Sequence, residues 1–164
     1  MTGPEKALIA AVLDRLIPSD RHGPGALESG VMRYLERALA GPYAAHQATY
    51  ASGLAALDRH ARMAHGRGFC ELAPDAQDAA LAALERGEGQ GLAEDSAAFF
   101  AMVRTHAIEG MFGDPRWGGN RGFAGWDLLG YGGVRRVWTA EEQQLDVVVP
   151  PVHQGHDELE GGSR

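Results

Sequence analysis

The sequence predicts an all-α fold: a single small helical domain of about five to six helices, with an ordered loop rich in Gly and Trp and an extended C-terminal arm. Three observations carry that prediction. Apolar residues recur at three- and four-residue steps from the start of the chain to about position 112, the period of helices with one buried face. Alanine fills 27 of the 164 positions, which favours helices and lets them pack closely. The 23 glycines and 8 prolines fall mostly between the periodic stretches, where they end one helix and begin the next. This length fits one domain, with residues 1–140 as the helical body and 141–164 as the arm and a tail.

Each element has its own signature. Over residues 5–17, Leu8, Ile9, Val12, Leu13, Leu16 and Ile17 form one face of a first helix, which Pro18 should stop. The Pro- and Gly-bearing stretch 18–25 reads as a structured loop. A second helix is expected from Ala26 to Leu39 with Leu27, Val31, Tyr34, Leu35, Ala38 and Leu39 inward, ended by Gly41-Pro42. From Tyr43, the positions Tyr43, Gln47, Tyr50, Leu54, Leu57 and Ala61 define an aromatic-rich seam on a third helix that Gly66 and Gly68 close. Pro74, with Asp75 and Asp78 near the positive end of the helix dipole, opens a fourth that ends by Gly87. Residues 85–94 read as a mobile polar connector, and Ser96 as the cap of a fifth helix, Ala97–Phe112, with Phe99, Met102, Val103 and His106 on one face. Residues 110–133 then lose all helical or strand period and hold two of the three tryptophans. Beyond Trp138, the run Val147-Val148-Val149-Pro150-Pro151-Val152 predicts an extended arm, and the last eight or so residues read as disordered.

Composition sets aside several function classes. A formal net charge of −7 argues against nucleic acid as a partner. The longest uninterrupted apolar runs, Ala97–Val103 and Val147–Val152, are far short of the ~18–20 residues that cross a bilayer, so no membrane insertion is expected. The first residues carry no export signal, which places the chain in the cytoplasm, or in the periplasm by export with a partner that bears the signal. Cys70 is the single cysteine, excludes an internal disulfide, and reads as a packing residue.

The groups able to carry chemistry are few. His106 and Glu109, three apart on one helix, could present two metal ligands or an acid–base pair, the basis of an alternative reading as a stand-alone metal-binding protein or small enzyme. No other predicted helix supplies inward acids to complete such a site. Arg104 and Glu109 are candidates for a surface ion pair, and Glu28 and Arg33 read as solvated charges. His60 and His65 do not share a face; His153 and His156 lie in the tail, where adventitious metal binding is the simplest reading. The Gly-rich loop could cradle an anion, but neither a dinucleotide fingerprint nor a P-loop spacing is present. Two other readings remain for it. Gly118, Gly119, Gly122 and Gly125 could let backbone pass close to Trp117, Trp126 and Tyr131, or the aromatics with Arg121 could form a protein-binding surface.

Two segments resemble a known family. Leu16-Ile17-Pro18-Ser19-Asp20 with Gly23-Pro24-Gly25-Ala26-Leu27-Glu28-Ser29-Gly30-Val31 is similar to the N-terminal signature of the gluconate 2-dehydrogenase subunit 3 family. Phe100 to Gly110, continuing through Asp114-Pro115, Gly118-Gly119-Asn120-Arg121, Gly125-Trp126 and Leu129-Gly130-Tyr131, is similar to its C-terminal signature. Gly122 and Gly132 depart from the Asp and Pro of many relatives. The resemblance implies a non-catalytic small subunit with no cofactor or catalytic residue of its own. Its implied partner is a large FAD-containing subunit of the glucose-methanol-choline type, oxidising sugars, sugar acids or glycosides, sometimes with a cytochrome c subunit. The resemblance turns the loop into an expected docking surface, with Trp117, Asn120, Arg121, Phe123, Trp126 and Tyr131 as contacts, joined by Val147, Val149 and Pro150 of the arm.

Overall fold

The computed structural model describes residues 1–157, and the predicted disordered tail lies almost wholly outside them. The described residues form six α-helices and no β-strand. Helix α1, Gly3–Leu16, opens on a capping box: Glu5 N donates to Thr2 Oγ1, and Thr2 N to Glu5 Oε2 at 2.6 Å. Helix α2 is Val31–Ala40, five residues shorter at its start than the spacing predicts. Gly30 occupies the N-cap with φ +80°, left-handed backbone that forces the chain through turns over 26–30. One consequence is that Leu27, expected inward, is exposed, while Ala26 is buried and its N–H donates to the Ile17 carbonyl.

A 3-10 turn at Ala44–His46 leads into α3, Gln47–His65, which ends at Gly66. Helix α4, Pro74–Arg86, ends at Gly87. The connector that follows is tied to α3: Arg59 Nε donates to the Gly91 carbonyl at 2.9 Å, and His60 Nδ1 lies 2.8 Å from the Gln90 carbonyl. Ser96 is the first residue of α5, Ser96–Phe112, not its cap; its hydroxyl donates backward to the Ala93 carbonyl. Helix α6, Ala124–Leu129, lies inside the segment that reads as aperiodic.

Helix α5 is the central element. It packs against α1, α2, α3 and α4 and carries α6 at its far end. Phe99, Phe100, Val103, Ala107 and Met111 are all buried, so it is apolar on several faces, as a helix enclosed by others must be. Around it close Ile9 and Leu13 of α1, Leu35 of α2, Tyr50, Leu54 and Leu57 of α3, and Leu84 of α4. Cys70 is exposed, so it does not pack in this core, and its thiol is pushed up by partial burial and by Asp58 and Glu71.

Candidate functional site

The last four carbonyls of any helix lack partners within it. At the end of α5 the Gly- and Trp-rich loop supplies them from as far as fourteen residues downstream. Gly113 N donates to the Glu109 carbonyl, Asn120 N to that of Gly110, and the Trp126 indole Nε1 to that of Phe112, each at 2.8 Å. Such closure needs backbone against backbone. A Cβ on Gly119 would lie 1.9 Å from the Gly110 oxygen, and one on Gly125 at 1.9 Å from the Met111 oxygen. Those two glycines therefore serve the approach of the loop to α5, rather than the loop's approach to its own aromatics.

Asn120 locks the arrangement. It is fully buried at φ +44°, a left-handed conformation that Asn tolerates better than most residues. Its amide Nδ2 donates to the Gly113 carbonyl and its Oδ1 accepts from Gly125 N, both at 2.8 Å. Phe123 is held at φ +64°, stacked on His153 at 5.0 Å and tilted against Trp126 at 5.3 Å.

The two sequence signatures, which end at Val31 and begin again at Phe100, meet here. Arg121 N donates to the Ser29 carbonyl at 2.9 Å, and a Cβ on Gly30 would stand 3.0 Å from the Gly118 oxygen. In the first signature, Gly25 fits against the Ile17 and Pro18 backbone and donates to Ser19 Oγ at 2.9 Å. Ser29 Oγ is buried without a hydrogen-bond partner among the described residues.

Beside the loop lies a polar cluster between α2, α3 and α5. Tyr34 donates to Glu109 at 2.7 Å and Tyr43 to the same carboxylate at 3.2 Å. Tyr50 Oη lies 2.9 Å from His106 Nδ1, and the Tyr43 ring stacks on His106 at 4.4 Å. Burial raises the pKa of Tyr34, Tyr43 and Tyr50, with Glu109 adding to each, so all three keep their protons. Burial also holds the His106 imidazole below its ordinary value. Glu109 is thus engaged with tyrosines and not with Arg104. Among the described residues, no three His, Cys, Asp or Glu side chains converge on one point.

The expected docking residues divide by position. Trp117 is 55% exposed and Tyr131 45%, and Arg121, Val147 and Pro150 are also exposed. Phe123 and Val149 are half-buried. Asn120 and Trp126 are buried and shape the loop from inside, because its closure on α5 uses their polar atoms. The arm is extended but runs back along the loop. Val152 N donates to the Gly132 carbonyl and Val134 N to that of Gln154. Arg135 bridges the Gly132 and Pro150 carbonyls and the Glu142 carboxylate. His153 and His156, read as tail residues, instead reach Asp127 and Asp114 at 2.7 Å.

Arg33, read from the sequence as a solvated charge, lines the surface next to Trp117 together with Arg37 and Arg116, which the sequence does not single out. Their only signal is the four-residue step from Arg33 to Arg37 and the Arg116-Trp117 pair.

The fold and the loop together define a small all-helical domain that displays ordered aromatics on its surface. Residues 4–133 match the sequence model of Gluconate 2-dehydrogenase subunit 3, and the chain belongs to that family of dehydrogenase subunits. No curated protein and no solved structure gives a match.

Proposed function

We propose that this chain is the non-catalytic small subunit of an FAD-dependent dehydrogenase of the glucose-methanol-choline type, which it binds and stabilises. The complex oxidises sugars, sugar acids or glycosides, passing electrons to a cytochrome c subunit where one is present. The observation that carries this reading is the distribution of exposed apolar side chains. Of the large hydrophobic residues exposed among those described, Trp117, Leu128, Leu129, Tyr131, Val137, Trp138, Leu145, Val147 and Val148 all belong to the loop, α6 and the arm. Four fall elsewhere: Met1, Leu27, Met63 and Ile108. Concentration of apolar surface in one segment marks an interaction site. This reading assigns the flavin to the partner, and two observations support it: α5 backbone lies against Gly119 and Gly125, and no strand among the described residues leads into the loop.

The test is co-expression with a candidate FAD-dependent dehydrogenase chain, followed by pull-down and dye-linked assay. Trp117→Ala and truncation after Gln144 should each weaken the complex by about 2 kcal/mol, roughly 30-fold in Kd. Trp126→Ala should act through the subunit's own fold. Undiminished complex in the Trp117 and truncation variants would overturn the proposal.

A further inference from the structure

On a chain of formal charge −7, one face is positive. Arg33 and Arg37, one turn apart on the outer side of α2, lie together against Gly118 of the loop. Arg116 stacks over the Trp117 ring at 4.6 Å, and Arg121 closes the far side. Among the described residues, Arg33, Arg37 and Arg121 have no carboxylate within 4.0 Å. Arg37 and Arg121 instead donate to the backbone carbonyls of Arg116 at 3.2 Å and Glu28 at 2.6 Å, which fixes their positions and leaves their charge unmatched.

Two clefts meet at Arg37. One, of about 480 Å³, is walled by Tyr34, Pro42, Tyr43 and Trp117. The other, of about 460 Å³, is lined by Arg33 and Arg121 along the loop and by Glu36, whose carboxylate is matched by Lys6 at 2.8 Å. Planar guanidiniums beside an aromatic wall suit a carboxylate next to an apolar side chain, because a fork of N–H donors pairs with the acid while the ring takes the hydrophobic group. A carboxylate of the chain itself, Asp157, approaches Arg116 at 3.5 Å.

Resting on the small-subunit reading, we infer that the α2–loop face docks an acidic segment of the dehydrogenase chain, with an aromatic or aliphatic side chain entering the cleft between Tyr43 and Trp117 and carboxylates on Arg33 and Arg37. The experiment measures Kd between the purified chain and the dehydrogenase chain over a range of NaCl concentrations. Arg33→Glu with Arg37→Glu should weaken binding about tenfold or more and flatten its salt dependence. Arg67→Glu with Arg86→Glu, the same charge change on the α3–α4 side, should leave both near wild type.

Equal weakening by both pairs would assign the effect to net charge and overturn the inference, as would an Arg33/Arg37 pair that binds like wild type. Circular dichroism checks the fold. Should the charge reversal not fold, Arg33→Gln with Arg37→Gln replaces it, with the same two readings. A wild-type chain that binds no dehydrogenase would sink the small-subunit reading itself, an outcome distinct from selective failure of the arginine variants.

Discussion

His106 is one residue whose environment converts directly into a pH dependence. Burial depresses its pKa most; Glu109 partly opposes this and His46 adds to it. The unfolded chain therefore takes up the proton first. As pH falls below about 6.5 the unfolded state gains protons that the folded state does not, so stability declines until the folded-state value is passed; above about 6.5 the contribution is complete. The depressed carboxylates Asp78, Asp114 and Glu142 act only near and below 3.8 to 4.5, outside that window. Urea midpoints should fall between about pH 7 and 5.5 in the wild type and fall less in His106→Gln. Equal slopes in the two proteins would refute the assignment. At the same scale, Asn120 shows what a sequence conceals. Its place in the signature is legible, but its burial depends on a helix end ten residues away in the chain, and nothing local distinguishes it from exposed Arg121.

Helix packing sets a second expectation. Gly53 sits inside α3, where Ala would favour the helix by about 1 kcal/mol. A Cβ there would stand 2.5 Å from the Phe99 ring, which is buried and cannot swing away. Overpacking costs about 1–3 kcal/mol and outweighs the propensity gain. Gly53→Ala should therefore lower the denaturation free energy, and a rise would show that α3 and α5 can part freely. Five of the six helices were legible because each is long and presents a periodic face. Helix α6, with six residues, is too short to show a period, and it forms because Trp126 anchors to the end of α5. The start of α2 was misplaced because apolar Leu27 and Val31 fit a helical step, whereas the left-handed backbone at Gly30 prevails. Ser96 has the composition of a cap, but its hydroxyl finds a carbonyl instead of an amide.

Across the whole molecule, the arm is the described part that attaches to the loop and not to the buried core. Its attachment runs through Arg135, whose guanidinium joins Gly132, Glu142 and Pro150, and through His153 and His156. Arg135→Ala should leave the thermal midpoint of the helical body near wild type and speed proteolytic cleavage within 141–152, read by mass spectrometry of the fragments. Unchanged cleavage would show that the arm is secured by other contacts. Membership in a family of dehydrogenase subunits was legible only through the pairing of two distant signatures. The positive face on α2 was not, since net charge averages over a surface that the fold divides unevenly.

The closure of the loop over α5 also ties remote stretches of the chain into one surface. Asn120 donates to the Gly110 carbonyl of α5, and Arg121 to the Ser29 carbonyl just ahead of α2. The exposed face around Trp117 therefore rests on both contacts and on no single segment, so it exists as a surface only in the folded chain.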